Sequence, residues 1–145
     1  MKCFLPLTLL LSVLFYSCEK PDSQNNAFEL RSKSEVKSVI DNFFIALGSD
    51  DSAAMEQILT NDFHMFEHDH RWNIDSLISL MPKTIGRVWE VSELEITQGK
   101  ELTHVSYYNQ GVVPNDRSWL ESMLLIDEGG ELKIKFMHST KLYLN

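Results

Sequence analysis

The run DFHMFEHDHRW, residues 62–72, decides between two unrelated architectures. Its inner residues HMFEH, 64–68, match the H-x-x-E-H pattern that some zinc peptidases carry on a helix. On a helix His64 and His68 share one face and can hold one ion. On a strand they also share a face, but at about 3.3 Å per residue they stand roughly 13 Å apart, out of reach of two bonds of about 2 Å. The neighbouring residues favour the strand. Asn61 and Asp62 break the preceding helical pattern, Phe63 and Phe66 suit a pleated surface, and Asp69 with His70 reads as a turn before Trp72. A peptidase would also need a third ligand from a second helix, for which the chain has no room. His68 and His70, roughly 6 to 7 Å apart on one strand face, are the remaining metal candidates, with Asp69 or Glu67 assisting. The competing reading, a solvated hairpin tip, is preferred, so neither a metal nor a cofactor is expected.

Upstream of this run, Ser32 and Glu35 form a capping box, and Val36, Ile40, Phe43 and Leu47 recur at helical spacing until Gly48. A shorter helix is expected through Ala54, Met55, Ile58 and Leu59, with Asp51 as N-cap and an end at 60–62. A third spans Ile74 to Met81 and stops at Pro82. From Arg87 onward the period is two. Leu120, Ser122, Leu124 and Ile126 alternate with Trp119, Glu121, Met123 and Leu125, and EGG at 128–130 is a hairpin turn. Leu132, Ile134, Phe136 and His138 are expected on one face of the last strand, with His138 pointing into the packed side. The apolar phase slips between Trp89 and Ile96, which predicts a bulge. The fold class is α+β, with three N-terminal helices packed on a curved, mostly antiparallel sheet.

This order of elements, with Asp62 and Phe63 opening the first hairpin and FMHST at 136–140 in the last strand, resembles the nuclear transport factor 2-like superfamily. Within it, the chain is most similar to the SnoaL-like, ketosteroid-isomerase-like bacterial branch, over roughly residues 28–144. The resemblance implies a cone-like α+β barrel with a cavity between sheet and helices, small apolar or amphipathic ligands, and pairing of two copies through the open sheet face. Phe66, Trp72, Trp89, His104, Tyr108, Trp119, Met123 and Phe136 are the pocket candidates, although each aromatic taken alone fits ordinary core packing. His138 and His64 are the candidate acid/base residues. The tyrosine and two acids of ketosteroid isomerases have no legible match, because the carboxylates between Arg87 and Thr97 look solvated. The arginine with two aspartates of the epoxide hydrolases also lacks a counterpart, since Arg71, Arg87 and Arg117 fall at element ends.

The N-terminus, MKCFLPLTLLLSVLFYSC, carries one lysine and an apolar run too short for a comfortable span, and reads as a secretory signal over residues 1–17. Ser17 before Cys18 resembles a bacterial lipobox, with bulky Phe15 and Tyr16 ahead of it. The chain has two cysteines, Cys3 and Cys18, so cleavage before Cys18 leaves one thiol, which lipid attachment explains. Residues 18–27 are then the lipidated cysteine and a polar tether, and 28–145 one domain. The expected location is the bacterial cell envelope, at the outer membrane of a Gram-negative organism. A net charge of −8, from 13 basic and 21 acidic residues, disfavours nucleic acid as a partner. Three functions are compatible: an anchored protein binding a small molecule or protein partner, a small isomerase, dehydratase or hydrolase using His138 or His64, and a structural homodimer module.

Overall fold

The computed structural model describes residues 30–114 and 117–143. The expected signal, the lipidated Cys18 and the tether lie outside them. Helix α1, Lys33–Ser49, starts at the expected capping box: Ser32 Oγ accepts from the Glu35 amide at 3.2 Å, and the Glu35 carboxylate accepts from the Ser32 amide at 2.8 Å. Its buried stripe is Val36, Ile40, Phe43, Phe44 and Leu47. Helix α2, Ser52–Ile58, is capped by Asp51 and ends earlier than its apolar pattern suggests, because Leu59 is already extended and enters the first strand.

Strand β1, Leu59–Glu67, turns through His68 and Asp69 into β2, His70–Asn73. The H-x-x-E-H run is therefore strand and hairpin tip, not helix. Asn73 caps α3, Ile74–Leu80, and Pro82 diverts the chain into a single 3-10 turn, Met81–Lys83. Four long strands follow: β3, Val88–Gln98; β4, Thr103–Val113; β5, Ser118–Glu128; and β6, Glu131–Leu142. Gly129 and Gly130 supply the two positive φ angles of the β5–β6 turn, 67° and 94°.

The sheet order is β2-β1-β6-β5-β4-β3; β1 and β6 run parallel and every other pair is antiparallel. Three helices lie on the inner face of this curved sheet, as expected for the fold class. The core between them includes Ile40, Phe43, Met55, Leu77, Met81, Val105, Met123 and Ile134. The expected bulge in β3 is present: pairing with β4 slips between Ser92 and Glu95, and Glu93 has φ 52°.

A second irregularity corrects the reading of β6. Ile134 pairs with Leu125, but Phe136 pairs with Leu124, so Lys135 is an extra residue in the strand. On the other side of β6, Ile134 lies opposite Leu59 and Phe136 opposite His64, so β1 is distorted at the same level. Lys135 pairs across the distortion with Asp62, which also accepts from Thr60 Oγ1 at 2.8 Å. The extra residue reverses the alternation. Ile134, Met137 and Ser139 are buried, whereas His138 is exposed on the outer face.

The C-terminal end of α1 is held against the turn before β3: Gly86 N donates to Gly48 O at 2.9 Å, and Thr84 Oγ1 to Leu47 O at 2.6 Å. A Cβ on Gly48 would collide with the Arg87 carbonyl oxygen. Because the obstacle is backbone, Gly48→Ala is expected to lower stability by about 1–3 kcal/mol, read as an earlier thermal unfolding transition.

Candidate functional site

Strand register assembles the site in rows across the inner face. Glu67 lies opposite Ser139, Ser139 opposite Glu121, and Glu121 opposite Tyr107, so β1, β6, β5 and β4 each give one residue to a polar row. The adjoining row, Met65, Met137, Met123 and Val105, is apolar and buried. On the other side of the polar row, Asn109 pairs with Trp119. Above them lies a cavity of about 440 Å³, walled by Phe43, Phe44 and Leu47 of α1, Leu77 and Leu80 of α3, and Trp72, Trp89 and Trp119. This is the size and character of a small-molecule site, mostly apolar with a few convergent polar groups.

Glu121 is the centre of the polar row. Its Oε1 accepts from Ser139 Oγ at 2.9 Å and its Oε2 from Asn109 Nδ2 at 3.1 Å. Burial pushes its carboxyl up to about 7, against the pull of hydrogen bonds from Ser139, Tyr107 and Asn109, and the nearby charge of Glu67 adds to the rise. Burial, and then the charge of Glu121, raise the Tyr107 phenol well above its ordinary range. Trp72 Nε1 and Asn109 Oδ1, buried atoms of residues that line the cavity, have no hydrogen-bond partner, whereas the Tyr107 hydroxyl faces the Glu121 carboxylate.

The structure divides the sequence candidates between the two sheet faces. Trp72, Trp89 and Trp119 line the cavity, and His68 stands at its rim. Met123 is buried in the row beneath. Phe66, His104, Tyr108 and Phe136 belong to the outer face, as do both acid/base candidates, His64 and His138. The expectation that His138 points inward is thus corrected by the extra residue at Lys135. His64 instead packs on Phe136 and Phe66, with ring centroids 5.1 and 5.7 Å away. His68 occupies the turn with φ 55° while His70 opens β2 beside Asp69, Nδ1 to Oδ1 2.6 Å, so the two do not share a strand face. Among the described residues no group of three His, Cys, Asp or Glu side chains is placed to hold a metal.

A second hollow, of about 620 Å³, lies at the opposite end of the sheet, where α1 begins. Its principal charges satisfy one another: Arg31 pairs with Asp127 and Glu35, and donates to Gly130 O at 2.9 Å. Trp72 and Asn109, whose buried atoms lack partners, line the first cavity instead.

No family model matches the sequence, and no curated protein matches it either. Solved structures do. An NTF2-like (nuclear transport factor 2-like) protein from Cytophaga hutchinsonii superposes with a TM-score of 0.68 at 13% identity, over 78% of this chain and 100% of that one. The fold is therefore NTF2-like. A protein of unknown function with a cystatin-like fold from Nostoc punctiforme superposes with a TM-score of 0.70 at 13% identity, over 79% and 95% of the two chains. A ketosteroid isomerase-like protein from Erwinia carotovora gives 0.58 at 12% identity, over 77% and 96%. At these identities the likeness concerns the fold, and the site must be read from this chain's own residues.

Sequence reasoning missed Glu121. Its signal was available, as the one charge in the run WLESMLLI, sharing a strand face with Trp119, Met123 and Leu125. A measurable consequence follows from its burial. The folded chain retains a proton that the unfolded chain releases between about pH 4.5 and 7, so stability falls as pH rises through that window and levels off above it. The loss amounts to roughly 3 kcal/mol at one pKa unit per 1.36 kcal/mol. Denaturant unfolding at pH 5 and pH 8 is expected to show this decline in the unaltered chain and to show it flattened in Glu121→Gln.

Proposed function

We propose that this chain is a lipid-anchored cell-envelope protein whose one domain binds a small organic molecule in the cavity over Glu121. The observation that carries the reading is a pair of unpaired buried atoms on residues that line that cavity, Trp72 Nε1 and Asn109 Oδ1, in a pocket that also holds the buried Glu121 carboxyl. Each unpaired buried polar group costs about 1–3 kcal/mol, a cost a ligand with matching donors and acceptors would offset. The lipobox-like Ser17–Cys18, the single cysteine left after cleavage and the polar tether support anchoring, with the outer membrane of a Gram-negative bacterium as the site. The outer sheet face, where Phe66, Tyr108 and Leu120 are 44%, 40% and 43% exposed, supports pairing with a second copy.

One observation favours a second reading, that of an isomerase, dehydratase or hydrolase. A carboxyl raised to about 7 inside an apolar cavity can both donate and accept a proton near neutrality. In that reading Glu121 takes the role first assigned to His138 or His64, because both histidines lie on the other face of the sheet.

Native mass spectrometry of the gently purified full chain tests the binding reading. Extra mass lost on denaturation is expected; a ligand-free spectrum together with no response to any small organic probe would overturn it. Fractionation of cells expressing Cys18→Ser tests the anchor, with the protein expected to move from the membrane to the soluble fraction. Membrane retention of that variant would sink the lipid assignment.

A further inference from the structure

The acceptors left open in the cavity narrow the ligand class. Glu67 and Glu121 both line it, from β1 and β5 on either side of β6, with Ser139 between them in the row. Among the described residues, neither forms an ion pair with a lysine or arginine, and no hydrogen bond reaches the Glu67 carboxylate. Glu121 receives Ser139, Asn109 and Tyr107, which leaves one of a carboxylate's roughly four acceptor positions open. A third acceptor is Asn109 Oδ1. That residue is only 1% exposed, its amide nitrogen is turned to Glu121, and its oxygen has no partner. The basic residues of the same cavity do not neutralise this group. Arg87 and Arg117 already have interaction partners, and Lys83 is exposed to water, which screens its charge.

We infer that the cavity takes a small organic amine, with its ammonium group held by Glu67, Glu121 and Asn109 Oδ1 and its apolar body between the tryptophans and α1. This inference rests on the ligand-binding reading above and names the ligand class for the same pocket. An ammonium group carries three N–H donors and no acceptor, which matches three acceptors without competing donors. Charge strengthens the bonds to the two carboxylates, and Trp72, Trp119 and Phe44 add aromatic surface that attracts a cation. The apolar body covers Leu47, Leu77 and Leu80. A ligand carboxylate at this end would instead meet two acids. Binding is linked to the proton on Glu121: burial holds that carboxyl at about 7, and an ammonium favours its ionised form, so affinity rises with pH through that value. The helices α1 and α3 present only apolar side chains to the cavity. The charged and titratable neighbours of Glu121 are therefore Glu67 and Tyr107 on the sheet, with His68, Lys83, Arg87 and Arg117 elsewhere in the lining.

The chain contains three tryptophans, and all three line this cavity. Intrinsic fluorescence therefore reports occupancy without a label. The test uses the full chain in nonionic detergent at pH 8, titrated separately with 4-phenylbutylamine, the neutral 4-phenylbutan-1-ol and the anionic 4-phenylbutanoate. The amine is expected to bind about tenfold more tightly than the alcohol, as for one charge-assisted contact, and to lose most of that advantage at pH 6. Glu67→Gln and Glu121→Gln, each checked for a cooperative thermal transition, are expected to reduce the advantage, and Glu121→Gln to flatten its pH dependence. Glu95→Gln removes the same charge from an exposed position of β3 outside the cavity and is expected to keep both. Equal binding of amine and alcohol by the unaltered chain, or tighter binding of the carboxylate, would overturn the amine inference while leaving small-molecule binding intact; this comparison needs no variant to fold. A preference that survives both cavity substitutions would overturn the placement of the ammonium group. No fluorescence response to any of the three compounds would overturn the inference, and native mass spectrometry then decides separately whether the binding reading survives.

Discussion

One extra residue in β6 determines what the cavity contains. Strand side chains alternate between faces, so inserting Lys135 exchanges the faces of every residue after it. Without the insertion Phe136 and His138 would point at the helices, and the cavity would be filled by an aromatic ring and an imidazole. With it, Met137 supplies apolar floor and Ser139 brings its hydroxyl to Glu121. The distortion is matched on the neighbouring strand, where β1 changes register against β6 at the same level, and Lys135 and Asp62 join the two irregular segments by an ion pair. Lys135, and then Thr60, hold the Asp62 carboxyl below its usual range.

The buried row that results is a compromise between stability and availability. A carboxyl enclosed by tryptophan and methionine is stabilised by Ser139, Tyr107 and Asn109, yet burial still outweighs those hydrogen bonds and raises its affinity for a proton. Trp72 Nε1 and Asn109 Oδ1, on residues that line the cavity, keep no partner. Unmet capacity of this kind destabilises an empty protein and favours an occupied one. The hollow at the other end of the sheet shows the contrasting case, with Arg31, Asp127 and Glu35 consuming each other's charge.

What was legible in the sequence follows from the range of the interactions involved. The capping box at Ser32 and Glu35, the Asp51 cap, the stop at Pro82 and the paired glycines of the last hairpin are local features, and each appears where the residues place it. The bulge near Glu93 was also legible, because it shifts an apolar pattern that is visible on both sides of it. The bulge at Lys135 leaves no such trace. Ile134, Phe136 and Met137 read as apolar in either phase, and the distortion is fixed by a contact with Asp62, 73 residues away in sequence. Periodicity alone therefore puts His138 on the inner face, whereas the extra residue turns it outward. The three tryptophans line the cavity, while Phe66, Tyr108, His104 and Phe136 belong to a second, outward surface that sequence periodicity does not separate from the first.

The failure at Glu121 has a different cause. Histidine attracts attention as an acid or base because its ordinary pKa already lies near neutrality, so residue type alone suggests the role. A glutamate reaches that range only when its surroundings move it, and those surroundings are tertiary: Tyr107 from β4, Ser139 from β6, Glu67 from β1 and the α1 wall above. Proton-transfer capacity in this fold is thus assigned by position in the cavity rather than by side-chain identity. The exposed imidazoles of His68, His70 and His138 lie outside that enclosure, whereas burial raises the Glu121 carboxyl to about 7. The carboxylate search that the sequence invites, among the charged residues of β3, fails for the same reason. Glu90, Glu93 and Glu95 are exposed to water and lie outside the enclosure around Glu121.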